Sequence, residues 1–363
     1  GGLPMPIDFD TDRWEKIKED ARLWWAGDLK RPLIQMTLSG CDPGRPEPAL
    51  PRHGFAAFYD FSVSPEAIVD RWDYDLSCRR FMGDAFPCVW PNFGAGVMAA
   101  FLGAVLEKGE STCWFHPVED KEIAEHRFQT IPGGVWFDRV KAVCRAALER
   151  WEGRVQVGMT DLGGNLDVLS TFRPGEKLLL DLYDVPDEVK RLTWEAHDMW
   201  WRYFEEINEI LQPVNPGYTA WTPIFSEAPY YMLQCDFCYM ISTDMFDEFA
   251  RPELAASCKK LVNPFYHLDG PGQLSHLDSL LEIEDLKGVQ WIPGAGQPGY
   301  EEWPEVYRKI HDAGKLIQLS GDMKTLDTLV EQIGTAEGIV IMMGADISEE
   351  REAVAFLEKY GAL

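Results

Sequence analysis

The carboxyl-terminal two thirds of this chain alternates short apolar runs with longer amphipathic stretches. Val155-Gln-Val-Gly-Met159, Tyr231-Met-Leu-Gln-Cys235, Val289-Gln-Trp-Ile292, Leu316-Ile-Gln-Leu319 and Ile339-Val-Ile-Met342 read as buried strands. Thr219–Thr222 is a further short candidate. Helical patterns lie between them: 166–171, 176–182, 185–211, 243–261, 273–281, 303–313, 323–333 and 348–360. Pro252 sits inside the 243–261 pattern and predicts a break or kink there. Strands that alternate with helices predict βαβ units and a parallel sheet. Residues 1–154 are less regular: a helix near 11–26, a strand at Pro32–Thr37, a Pro/Gly-rich loop at 41–54, and helices near 65–74 and 134–151. With Pro32–Thr37 counted there are about seven or eight strands, which suits a (β/α)8 TIM barrel. The expectation is an α/β fold in one domain over 1–363, with 1–150 including a partly helical N-terminal extension and insertions.

Composition narrows the partners. The chain has 34 Lys and Arg against 60 Asp and Glu, a formal charge of −26. Such a surface repels phosphate backbones and anionic lipid, so neither nucleic acid nor membrane is expected. No apolar run approaches the ~20 residues of a membrane span, and no basic-then-apolar leader opens the sequence. Eight cysteines in 363 residues lack the density of a disulfide scaffold, which fits reduced thiols and a cytoplasmic protein. No strand is followed by a phosphate-binding glycine fingerprint; Gly294-Ala-Gly296 lacks the third glycine, which disfavours a nucleotide-binding fold.

The chemistry concentrates at Asn263-Pro-Phe-Tyr-His-Leu-Asp-Gly-Pro271, where an apolar run meets a histidine and an aspartate. Barrels and open α/β sheets bind ligands at the carboxyl ends of their strands. His267 and Asp269 are two apart and share a strand face, so they can ligate a metal or act as a base and its orienting group. An isolated His-x-Asp is by default a core histidine bonded to a loop aspartate. Other strand ends change that weighting, because they carry Asp161, Asn165, Trp221, Glu227, Cys235, Asp236, Cys238, Trp291, Asp322 and Asp346. Cys235-Asp-Phe-Cys238 is one C-x-x-C, which alone fits two buried thiols as well as zinc. With His267 and Asp269 it could complete a three-ligand zinc site with an open position.

Thr160-Asp-Leu-Gly-Gly-Asn-Leu-Asp167, Leu178–Lys190 and the block from Cys235-Asp236 to Phe246–Leu254 resemble the uroporphyrinogen decarboxylase superfamily. The resemblance covers roughly 150–363 and implies a (β/α)8 barrel. His267-x-Asp269 falls where the corrinoid-dependent methyltransferase branch has a zinc-binding His-x-Cys. Asp269 replaces that cysteine, and Gly344-Ala-Asp346 stands where a last cysteine is expected. A carboxylate ligand makes zinc a better Lewis acid for oxygen than a host for a thiolate. The resemblance thus implies a methyltransferase that moves a methyl group from a small substrate, such as a methoxylated aromatic, to cobalamin on a separate corrinoid protein. No D-x-H-x-x-G segment is present to hold the corrinoid in this chain. Expected metal ligands are His267, Asp269, Cys235 and Cys238; catalytic residues are His267 and Asp269 with Asp161 or Glu227 as proton donor. Asn92, Trp221, Asp236, Tyr239 and Trp291 are expected at the substrate. The alternatives are a metal-free decarboxylase or lyase with a His267–Asp269 acid dyad, and a non-catalytic tetrapyrrole- or corrinoid-binding barrel. Superfamily members often dimerise, which leaves a homodimer open.

Overall fold

The computed structural model describes residues 7–363. Its strands among these residues are β1 (Leu33–Ser39), β2 (Arg80–Gly83), β3 (Cys88–Val89), β4 (Val105–Lys108), β5 (Cys113–His116), β6 (Gln156–Val157), β7 (Tyr230–Gln234), β8 (Asn263–Asp269), β9 (Gly288–Ile292), β10 (Leu316–Ser320) and β11 (Ile339–Asp346). Seven form one sheet in the order β2-β1-β11-β10-β9-β8-β7. All its neighbours are parallel except β2, which runs antiparallel to β1. β3 and β6 make a separate parallel pair, and β4 and β5 an antiparallel hairpin. The expected barrel is therefore met in its parallel βα units but not in its closure: no strand ladder joins the β3–β6 pair to the main sheet. Thr219–Thr222 forms no strand; the nearby pairing is a single bridge between Tyr218 and Ser226.

The parallel register sets what faces inward. Gln234, His267, Gln290, Gln318 and Val340 lie in one row across β7, β8, β9, β10 and β11. Gln35, Met342 and Ser320 form a row on β1, β11 and β10. Alternation points the intervening apolar residues at the helical layer, where Trp291 meets Trp303 with ring centroids 5.1 Å apart.

Helix Thr11–Trp25 seals the amino-terminal end of the sheet. Its Asp10 cap accepts from the Arg13 amide, and its buried residues recur as Trp14, Ile17, Ala21 and Trp24, one helical face. Trp24 donates to the Ile339 carbonyl at 3.2 Å and stacks on Phe265, and Trp25 donates to the Phe225 carbonyl at 2.9 Å. Ring burial dominates this contact, and each indole N–H finds a carbonyl.

The 243–261 region does not break at Pro252; it stays helical and changes helix type just before it. A short turn at Thr243–Met245 leads into a π-helical turn, Phe246–Ala250, before the helix Arg251–Lys260 begins with Pro252 in its first turn. Where the loop after β6 crosses the loop after β3, Gly163 has φ +93° and a Cβ there would lie 2.5 Å from the Gly96 Cα. Only glycine permits that backbone crossing, which fixes the Asp161 loop.

Candidate metal centre

β8 delivers His267 and Asp269 to the interior at its carboxyl end, with Asp269 Oδ2 3.4 Å from His267 Nε2. The turn after neighbouring β7 brings Asp236 to the same place. Asp236, His267 and Asp269 each offer one ligand atom within 4.8 Å of the others. Cys235 and Cys238 instead bond to each other as a disulfide and are buried. Gln234 faces inward, so Cys235 next to it faces the helical layer, and the Asp236 carboxylate stands where a cysteine sulfur was expected. The expectation of reduced thiols fails for this pair, while the other six cysteines are free.

The surroundings orient the ligands. His267 Nδ1 faces Gln290 Oε1 and donates to it, which directs Nε2 at the two carboxylates. Gln290 is held in turn, with its Nε2 donating to Thr222 Oγ1 at 3.3 Å. The Trp221 ring stands perpendicular to the imidazole at 4.9 Å. Asp167, on helix Asn165–Phe172, accepts from the Asp236 amide at 3.0 Å and the Phe237 amide at 2.7 Å, which pins the turn that carries Asp236.

Too many carboxylates meet here for the positive charge available. Burial and the neighbouring Asp236 push Asp167 up to about 7. Asp236 is raised by burial and by Asp269, against the pull of His267. Burial lowers the His267 pKa, but its bonds to Asp269 and Gln290 and the charge of Asp236 outweigh that and leave it raised. Its hydrogen bond to His267 holds Asp269 low. Asp161 is 6% exposed and accepts from Gln234 Nε2 at 3.1 Å; burial lifts it to about 7 despite the Gly96 and Gly163 amides. One nitrogen and two oxygens beside surplus negative charge fit a divalent cation of the zinc type.

The remaining site expectations fare unequally. Trp221 and Asp236 stand at the cluster. Glu227 precedes β7 and pairs with Arg22 of the sealing helix at 2.6 Å, so it lies at the opposite end and cannot be the proton donor. Trp291 is fully buried on the outer face and touches no substrate space. Asn92 spends its amide on Gly54 and Gly94 and lines a separate, smaller cavity. Tyr239 is 63% exposed on the turn beyond Asp236 and beside Gly272, outside the interior. Gln290, Gln234, Thr222 and Asp167 were missed. A legible signal existed for two of them: Gln234 and Gln290 each interrupt an otherwise apolar strand, and an isolated amide in a buried strand needs interior partners.

A cavity of about 460 Å3 is lined from β1, β2, β10 and β11 and by Phe86, Cys88 and Pro223; Asp236, His267 and Asp269 do not line it. Pro223 follows Thr222, so one short segment serves both the cavity wall and the histidine's support.

No family model and no curated protein matches the chain. Among solved structures, a methyltransferase from Methanosarcina mazei superposes with a TM-score of 0.60 over 95% of this chain and 99% of its own, at 12% identity. That likeness is one of fold, and it spans nearly both chains. Among the described residues, no helix is long and apolar enough to cross a membrane.

Proposed function

We propose that the protein is a metal-dependent methyltransferase of the uroporphyrinogen decarboxylase superfamily, moving a methyl group from an oxygen of a small substrate to cobalamin on a separate corrinoid protein. The observation that carries it is the convergence of Asp236, His267 and Asp269 at adjacent strand ends. The M. mazei methyltransferase, of the same fold, supports the reaction class.

His267 Nε2 and the Asp236 and Asp269 carboxylates would hold zinc, and zinc bound there would supply a Lewis acid for the substrate oxygen. This chain's residues do the rest. Gln290 fixes the imidazole tautomer, and Asp167 fixes the Asp236 turn. When the methyl group leaves for the corrinoid, the oxygen keeps the C–O electron pair and takes a proton. Asp161, whose burial lifts its pKa to about 7, keeps its proton far above the usual carboxylate range and can give that proton.

One observation favours a metal-free lyase: the 3.4 Å approach of His267 to Asp269 also suits an acid dyad. Metal analysis decides between them. We expect about one zinc per chain after dialysis and its loss in His267→Ala and Asp269→Ala. We also expect methyl transfer from methoxybenzoates to free cob(I)alamin, followed by the corrinoid's visible spectrum, to disappear in the same variants. A zinc-free preparation whose His267→Ala variant transfers methyl groups at the wild-type rate would overturn the reading.

A further inference from the structure

The cavity lined from β1, β2, β10 and β11 has an unusual electrostatic make-up. Arg79 lines it, and no aspartate or glutamate does. β2 runs antiparallel to β1 with Arg80 opposite Leu38, so Arg79 stands at the carboxyl end of β1, at the mouth. Among the described residues Arg79 has neither an ion pair nor a side-chain hydrogen bond. Its neighbour Arg80 is tied to Glu350. The acid in the adjoining smaller cavity, Asp75, is taken by Arg52 and Arg71. In a chain of charge −26, where acids outnumber bases, an uncommitted guanidinium at a cavity mouth is available to an external anion.

A second observation lies inside. Gln35 is 8% exposed and lines the cavity; its Nε2 donates to the Pro223 carbonyl at 2.7 Å, but its Oε1 has no partner. A buried amide oxygen without a donor calls for one from outside. Phe81, Phe86, Pro223 and Met342 give the cavity apolar walls, with the Thr37 and Ser320 side chains also in the lining.

We propose that this cavity binds a small monocarboxylic acid bearing a hydroxyl or amino group. Arg79 takes the carboxylate, the apolar walls take the body, and Gln35 Oε1 accepts from the hydroxyl or amine. That the acid is the methyl-bearing substrate, or its demethylated product, rests on the methyltransferase reading; that the acid binds does not. A methoxylated acid loses its methyl group and becomes a hydroxylated acid, so the donor that satisfies Gln35 fits the product or a second hydroxyl of the substrate.

The test is calorimetric binding of benzoate, 3-hydroxybenzoate and 4-hydroxybenzoate, each against its uncharged amide, to the full chain with and without zinc. A charged hydrogen-bonded pair at a partly wet mouth predicts that each acid binds roughly 10-fold or more tightly than its amide. Arg79→Gln removes that preference and leaves the amides' affinity unchanged, Arg79→Lys restores part of it, and added salt weakens it. Gln35→Met removes the advantage of the better hydroxybenzoate over benzoate. The proposal is overturned if no acid outbinds its amide, or if Arg79→Gln keeps the preference. Zinc binding with no acid binding sinks this proposal alone; acid binding without zinc sinks the metal reading alone.

Discussion

Asp161→Asn isolates the cost of an ionised carboxylate at the sealed end of the Asp161 loop. The wild-type carboxyl is 6% exposed and holds its proton up to about 7, whereas the unfolded chain releases it near 3.8. Because the folded pKa is raised, the folded state binds the proton more tightly. Wild-type stability from this group is therefore full below the unfolded value and falls as pH rises through about 7. The gap of about three units corresponds to about 4 kcal/mol. Asparagine keeps an oxygen for Gln234 but turns an NH2 toward the amides of Gly96 and Gly163, a penalty that does not depend on pH. The quantity to measure is the variant-minus-wild-type difference in unfolding free energy, from urea denaturation in EDTA between about pH 4 and about pH 8.5. It should rise with pH by about 4 kcal/mol, with a slope approaching 1.4 kcal/mol per pH unit, and level off above about 7. Titrations of groups that do not interact with Asp161 cancel in the difference; His267 and Asp236, which do interact with it, add a smaller change. A flat difference refutes the reasoning, since it means that Asp161 ionises alike in both states and stores no proton for catalysis.

Gln290→Leu should leave the fold intact and weaken zinc binding roughly 10- to 100-fold by calorimetry, because His267 loses the partner that fixes its tautomer. Trp24→Ala should cost about 3–5 kcal/mol in urea denaturation, since the indole is 1% exposed and both stacks on Phe265 and donates to Ile339. Gly163→Ala should destabilise by about 2–4 kcal/mol, combining an unfavourable positive φ with a Cβ 2.5 Å from the Gly96 backbone; a loss below ~1 kcal/mol would mean that the loops part easily.

Much of the architecture was legible because strand and helix periods are local. The apolar runs after Arg154 became β6 to β11, apart from the 219–222 segment, while Pro252 follows a π-helical turn rather than a break. β2 and the β4–β5 hairpin were missed, since neither carries a distinctive alternation in so short a span. Period two also gave the shared face of His267 and Asp269. What it could not give was which face is inside. That depends on how the sheet curls around its neighbours, and it turned Trp291 and Cys235 outward. Glu227 was misplaced for a different reason: it precedes its strand, and the loop before a parallel strand belongs to the opposite end.

The sequence by itself thus determined the alternation of strands and helices, the acidic surface and the His267–Asp269 pair, all consequences of neighbouring residues. The tertiary structure alone decided that Asp236 rather than a cysteine completes the cluster, that Asp167 pins it from a helix 69 residues away, and that Gln290 orients the histidine. It also decided that Arg79 and Gln35 face one cavity. Those relations join residues far apart in the chain, and only packing, which places strand ends side by side, brings their side chains within reach.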